Sequence, residues 1–167
     1  HGPGAGASGG VVGALAPHVP ETWNPKKAFQ LDSLLMAAEF WAGVDAASGR
    51  SSGYGRTGRL QPLADDAAVT RARERAMGAQ ALWRGQATWQ VIAAPEGWSP
   101  PSPTGLVVHD TLSARIAPGR AVDSLAAAVT ALGGEVTSEA PDAGAVLWAT
   151  GHAGLADLSR HFGRAVG

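Results

Sequence analysis

The chain has 167 residues, of which 45% are hydrophobic and 16% are charged, a balance typical of a globular rather than a disordered protein. A formal net charge of −1 provides no basic field for nucleic acid, and the absence of cysteine excludes disulfides, thiolate metal sites and a cysteine nucleophile. No apolar run approaches the ~20 residues that cross a bilayer, so we expect a cytoplasmic protein that binds neither nucleic acid nor membrane.

A glycine-rich stretch lies near the start of the chain. Residues 4–15 read Gly-Ala-Gly-Ala-Ser-Gly-Gly-Val-Val-Gly-Ala-Leu, in which glycine permits close backbone approach and positive φ. Ser8 can cap a following turn, and N–H groups gathered at such a turn can bind an anion such as phosphate. A flexible glycine-rich terminus is the other interpretation, and the residues alone leave both open.

The later elements follow from apolar spacing and from the positions of proline and glycine. Asn24 followed by Pro25 predicts a helix start, and the continuous apolar run at 145–149 is typical of a strand buried on both faces of a parallel sheet. In chain order we predict a helix at 25–47, a polar linker at 48–53, a strand at 54–63, a helix from 65 or 66 to 82 or 83, a strand at 88–93, a loop at 94–105, a strand at 106–109 partnered by 113–116, a helix at 118–133, a strand beginning at 135–137, a strand at 145–149 and a helix around 155–162. Because strands alternate with helices, the expected fold class is α/β or α+β.

Several of these motifs together resemble the flavin-dependent amine oxidases of the D-amino-acid oxidase and glycine oxidase family. The match consists of Ala7-Ser8-Gly9, then Gly13-Ala14-Leu15-Ala16-Pro17, and Ala149-Thr150-Gly151 at the end of a predicted strand. Residues 55–60, Gly-Arg-Thr-Gly-Arg-Leu, look like the family's substrate-domain strand, and Ile116-Ala117-Pro118 before an alanine-rich helix also fits. The motifs stand in the family's order and cover most of the chain.

The resemblance implies non-covalent FAD and hydride transfer to it from the α-carbon of a small D-amino acid or glycine. It implies a partial FAD-binding sheet-and-helix domain in residues 1–50 and 115–167, and part of an antiparallel substrate-binding domain in residues 51–114. It also assigns FAD contacts, made mostly through the backbone, to Ala7, Ser8, Gly9, Gly13, Ala14, Leu15, Thr150 and Gly151.

One part of the family pattern has no counterpart here. The family begins with a strand, a Gly-x-Gly-x-x-Gly turn and a helix, whereas no predicted strand precedes Gly4-x-Gly6-x-x-Gly9. The family's C-terminal part is also missing from the pattern. We therefore expect an internal fragment that by itself binds FAD weakly or not at all and has no oxidase activity. Its missing segments are deleted, disordered or supplied by another chain that completes the fold.

Few side chains are candidates for catalysis or substrate binding. His18 follows the flavin-turn match and can face the ring or the substrate, although a loop histidine with a backbone partner is the favoured interpretation. Arg56 and Arg59 are candidates for holding a substrate carboxylate bidentately, although solvent-exposed edge arginines are favoured. The remaining histidines show no metal-ligand spacing, so no metal site is predicted.

Two alternatives to an amino-acid oxidoreductase stay open. The first is the oxidase domain of a bifunctional tRNA wobble-uridine modification enzyme, whose corresponding stretch is very like residues 7–17. The second is a truncated, non-catalytic α/β module with an interaction or structural role. A yellow preparation with flavin absorbance would favour an enzyme, and a colourless protein that takes up no added FAD would favour the module.

Overall fold

The computed structural model describes residues 2–139 and 144–166, and this part of the chain combines helices with small sheets. It contains four α-helices and two antiparallel sheets of two and three strands, which confirms the predicted α/β or α+β class. The chain divides into two compact units, of which the first ends at Val136 and the second begins at Thr137. The division into a FAD-binding domain (1–50 and 115–167) and a substrate-binding domain (51–114) stays a prediction.

The first unit holds most of the regular structure. Its elements are the 3-10 turn Ala7–Gly9, β1 (Gly13–Leu15), α1 (Pro25–Ser48), β2 (Arg59–Pro62), α2 (Asp66–Leu82), β3 (Trp89–Ala93), β4 (Leu106–Asp110), β5 (Ala114–Ile116) and α3 (Pro118–Ala131). The second unit holds α4 (Gly151–Phe162). The predicted helices at 25–47, 65–82 and 118–133 are therefore confirmed to within two residues at each end.

Local capping fixes where the two longest helices begin. The Asn24 side chain accepts a hydrogen bond from the N–H of Lys27 at 3.0 Å, which satisfies one of the free donors at the start of α1. The Asp65 carboxylate does the same for Ala68 at 2.7 Å at the start of α2. Gly49, with φ 64°, ends α1 in the left-handed conformation that glycine adopts readily.

The core is formed by α2, by Leu31 and Leu34 of α1 and by one face of the three-stranded sheet. In this sheet β4 pairs with β2 on one edge and with β3 on the other. The Trp83 and Trp89 rings pack edge to face with centroids 6.1 Å apart, and both residues are buried. The indole N–H of Trp89 donates to the Ala72 carbonyl at 3.1 Å, so its one polar atom is satisfied inside the core.

The second sheet corrects one predicted pairing. The strand predicted at 113–116 is present as β5, but it pairs antiparallel with β1, with Gly13 opposite Ile116, and not with β4. The reason is that both edges of β4 are already occupied by β2 and β3. The helices α1 and α3 pack together in the same unit.

The strand predicted at 54–63 is shorter than expected. Only Arg59–Pro62 joins the sheet, while Gly55 forms an isolated bridge to Arg115. Gly58 has φ +73°, and its N–H donates to the Ser113 carbonyl at 2.8 Å, so the chain turns there and leaves the extended conformation. The positive φ of Gly58 therefore interrupts the predicted ten-residue strand and leaves Arg59–Pro62 in the sheet.

The prediction of a buried strand at 145–149 is wrong, and so is the prediction that a strand begins at 135–137. Neither segment forms a strand, and Leu147 is 95% exposed. A continuous apolar run becomes a buried strand only where neighbouring strands supply backbone partners and cover both faces. Within the described residues, no strand pairs with residues 145–149.

One ion pair fixes the loop before α1 to the side of α2. Arg75 donates from Nε and Nη2 to the two carboxylate oxygens of Glu21, at 2.9 and 2.7 Å. This bidentate hydrogen bonding holds the pKa of Glu21 below its ordinary value and raises the pKa of Arg75.

Candidate functional site

The glycine-rich stretch forms a closed turn that leads into β1. The N–H of Gly9 donates to the Gly6 carbonyl at 3.1 Å, and the N–H of Gly10 donates to the Ala7 carbonyl at 3.3 Å. Ala7, Ser8 and Gly9 are exposed. Within residues 2–139 and 144–166, the N–H groups of Ala7 and Ser8 have no hydrogen-bond partner, so the turn presents two donors to its surroundings.

Two of the predicted cofactor glycines are required by the packing of the chain itself. A Cβ at Gly9 would lie 2.0 Å from the Gly4 carbonyl oxygen, and a Cβ at Gly13 would lie 2.5 Å from Cγ2 of Ile116. The turn and the β1–β5 pairing therefore both exclude a side chain at these positions. Their glycine identity is explained by folding and lends the cofactor assignment no separate support.

The predicted cofactor residues Ala14 and Leu15 line a cavity of about 320 Å³ between β1 and α1, which we call the α1 cavity. It is lined by Ala14, Leu15, Ala16, Gln30, Ser33, Leu34, Ala37 and Trp41. The lining is mainly apolar, with one indole ring and the polar side chains of Gln30 and Ser33. Small-molecule sites have this combination of an apolar wall and a few polar groups, and this volume lies at the lower end of their range.

The α1 cavity provides a test of whether FAD fits these residues. Its apolar lining and the Trp41 ring suit a flat aromatic ring system, and the turn Ala7–Gly9, which precedes β1 in the chain, offers N–H donors of the kind that bind a pyrophosphate. A cavity of about 320 Å³ holds such a ring and not a whole dinucleotide. The residues of the first unit therefore fit the flavin part of FAD.

Thr150 and Gly151 stand at the start of a helix. Thr150 is the residue before α4 and makes no side-chain capping hydrogen bond, and Gly151 begins the helix with φ +65°. The expectation that they terminate a strand is wrong, because residues 145–149 form no strand. Their predicted contact with FAD stays a prediction.

The two weak catalytic candidates make contacts with neighbouring loops and α1. The backbone N–H of His18 donates to the Gln30 side chain at 2.8 Å, and His18 itself is exposed and does not line the α1 cavity. Arg56 donates from Nε to the Thr111 carbonyl at 2.9 Å and from Nη2 to the Gln86 carbonyl at 2.8 Å. To bind a substrate carboxylate bidentately, Arg56 would have to break these two hydrogen bonds.

Arg59 has a different partner, which sequence reasoning missed. Its Nε donates to the Asp110 carboxylate at 3.1 Å, and that carboxylate also accepts from the N–H and the hydroxyl of Ser113, at 2.7 and 2.9 Å. Asp110 is fully buried, whereas the Arg59 side chain is 36% exposed. An acidic residue directly after the predicted strand 106–109 is the signal that could have revealed it, since a buried carboxylate needs such partners.

A second pocket, here called the sheet pocket, lies beside β2, β3 and β4 and has a volume of about 430 Å³. It is lined by Thr57, Gly58, Arg59, Leu60, Ile92, Pro95, Trp98 and His109. Leu60 and His109 are opposite each other in the β2–β4 register, and on β4 His109 is next to Val108, which faces the core. Sequence reasoning did not predict that His109 and the exposed Trp98 line one pocket.

Neither a membrane-spanning helix nor a metal-binding group of side chains is found among the described residues. Among residues 2–139 and 144–166, no helix combines the length and apolar character needed to cross a bilayer. In the same part of the chain, no group of three or more histidine, aspartate or glutamate side chains is placed to hold a metal ion.

Comparison with known proteins assigns the chain to no family. No family model matches it, and neither a curated protein nor a solved structure matches it significantly. The resemblance to amine oxidases therefore rests on the motifs themselves.

Proposed function

We propose that this chain belongs to a FAD-dependent oxidoreductase that oxidises the C–N bond of a small amine or amino acid. The observation that carries the proposal is the α1 cavity, because the flavin-turn motif residues Ala14 and Leu15 form one of its walls and Trp41 contributes to its lining. When bound, FAD would supply the hydride acceptor for the oxidation. The expected cytoplasmic location stays a prediction.

The residues of the first unit have separate parts in this proposal. Trp41, on α1, would pack against the flavin ring, and the Gln30 side chain would offer it a polar contact. The N–H groups of Ala7 and Ser8 would face the negatively charged phosphates, since exposed backbone donors at a turn bind anions. The apolar lining would bury part of the ring surface.

We expect binding of FAD to this chain to be weak. Within the described residues, the turn offers two N–H donors that have no partner. Each charge-assisted hydrogen bond that a fuller site would add is worth about 1.5–3 kcal/mol. Since about 1.4 kcal/mol changes the dissociation constant tenfold, two or three absent contacts weaken a micromolar site to roughly millimolar binding or beyond.

The experiment is therefore an NMR titration of the ¹⁵N-labelled chain with FAD, which detects millimolar binding. We expect shifts at the amides of β1 and at the indole N–H of Trp41, and loss of the β1 shifts in Trp41→Ala. Trp98→Ala is the matched control, since Trp98 is 86% exposed and lies in the sheet pocket. Shifts that avoid β1 and α1, or that persist unchanged in Trp41→Ala, would contradict the proposal and leave the non-catalytic module as the better interpretation.

A further inference from the structure

In the part of the chain that the structure describes, no strand pairs with the outer edge of β2 or of β3, and these two edges differ in their capacity to accept another strand. At the β2 edge, the outward-facing positions are Leu60 and Pro62, and proline has no N–H to donate. Edge strands that carry proline are protected against pairing with a further strand. The β3 edge, Trp89–Ala93, contains no proline.

The hydrogen-bond pattern shows which β3 groups face outward. Thr111 donates its N–H to the Thr88 carbonyl at 3.0 Å, and Ala94 donates its N–H to the Gly105 carbonyl at 2.9 Å. In an antiparallel pair the bonded positions alternate, so positions 88, 90, 92 and 94 point towards β4. The N–H and C=O groups of Trp89, Val91 and Ala93 therefore point away from the sheet. Within the described residues, none of these groups has a hydrogen-bond partner.

A groove accompanies this edge. A pocket of about 530 Å³ lies between α2 and the N-terminal half of β3, and its apolar residues include Ala76, Met77 and Ala87. Met77 is 81% exposed there. An open strand edge beside a groove is the arrangement in which added strands bind, because the backbone supplies hydrogen bonds and the groove accepts alternate side chains.

The chain also contains a segment with the chemistry of an added strand. Residues 145–149, Ala-Val-Leu-Trp-Ala, contain no charge and no proline, and the segment has the same length as β3. It forms no strand, and Val146, Leu147 and Trp148 are 51%, 95% and 59% exposed. Valine and tryptophan favour strands, and a contiguous exposed apolar segment marks an interaction site.

We propose that the β3 edge binds residues 145–149 of a second copy of this chain. The added strand would satisfy the outward backbone groups of Trp89, Val91 and Ala93, and its alternate side chains would contact the apolar part of the groove at Ala76 and Met77. Because every copy carries both the edge and the segment, two copies can exchange strands reciprocally and close into a dimer. This inference does not rest on the proposed function, and its test contains no flavin.

The test is sedimentation equilibrium of the whole chain together with two variants. Ala93→Pro removes one outward donor at an exposed position without removing a bond to β4, and Leu147→Asp places a charge in the added strand. We expect a dimer whose dissociation constant rises at least tenfold in each variant. Leu132→Asp is the matched control, since Leu132 is 79% exposed outside both surfaces, and it should leave the dimer unchanged.

A synthetic peptide with the sequence of residues 144–151 provides a second measurement that does not depend on how a variant folds. We expect it to dissociate the dimer and to shift the amide signals of Trp89, Val91 and Ala93, whereas the same peptide with aspartate in place of leucine should do neither. A chain that stays monomeric up to its solubility limit would overturn the proposal. A dimer that both variants leave intact would do so as well.

Discussion

The Asp110 carboxylate leads to a sharp prediction about stability. Asp110 is fully buried and accepts hydrogen bonds from Arg59 and from both the N–H and the hydroxyl of Ser113. It therefore joins β2, the end of β4 and the turn that leads to β5. We expect Asp110→Ala to lower the free energy of unfolding of the first unit, because it removes the shared acceptor of all three groups.

The size of the expected loss in unfolding free energy depends on whether each donor finds another acceptor in the variant. The Ser113 N–H is buried with its residue 4% exposed, so losing its acceptor costs about 1–3 kcal/mol. The Ser113 hydroxyl can rotate to another acceptor, and the 36% exposed Arg59 side chain regains water, so the ion pair counts for less than a fully buried one. We expect a total loss of roughly 2–4 kcal/mol, a large part of the ~5–15 kcal/mol that stabilises a typical domain.

The assay is urea unfolding followed by near-ultraviolet circular dichroism. This signal reports the first unit, since it depends on the edge-to-face packing of Trp83 and Trp89 in its core. Asp32→Ala is the matched control, because Asp32 pairs with Arg84 at 3.0 Å while both side chains are more than half exposed. That change should cost at most about 1 kcal/mol. Equal losses in the two variants would refute the reasoning that burial makes Asp110 important.

Three further predictions follow from other contacts. Gly13→Ala should destabilise the first unit by more than ~1 kcal/mol, because the new Cβ would clash with Ile116 of β5. Gly43→Ala lies in open space within α1 and should stabilise the unit by about 0.5–1 kcal/mol. Thermal melts of the two variants test this difference. Arg56→Lys should cost about 1–2 kcal/mol in the same melts, since one ammonium cannot reproduce two directed bonds to separate carbonyls, and an unchanged melting temperature would argue against that role. Hydrogen bonding to Arg75 lowers the pKa of Glu21 in the folded state. The ion pair therefore stabilises the folded protein at pH values above the ordinary pKa of 4.5, and this stabilisation is lost as the pH falls through the lowered pKa. Urea titrations of Glu21→Gln at several pH values should show a deficit of about 0.2–1 kcal/mol near neutrality that vanishes in acid.

Local chemistry allowed the sequence to predict α1, α2 and α3 to within two residues, and to locate the strands β3, β4 and β5. Asn24 and Asp65 each cap a helix through a donor three residues away, so the starts of α1 and α2 depend on neighbours in sequence alone. The strands at 88–93 and 106–109 are nearly as predicted, because their boundaries follow from adjacent turn residues. Ala14 and Leu15, which the flavin-turn motif assigned to FAD, line the α1 cavity, and their contact with FAD stays a prediction.

Only the tertiary structure decided which segments pair. Strand propensity at residues 145–149 and 113–116 was evident from the sequence. Within the described residues, however, the first segment pairs with no strand and forms none, and the second pairs with β1 because both edges of β4 are occupied. The partnership of Arg59 with Asp110 was equally hidden, since the two residues lie 51 positions apart and meet only in the β2–β4 register. Propensity and capping act over a few residues, whereas pairing and buried charge depend on which distant segments fold together.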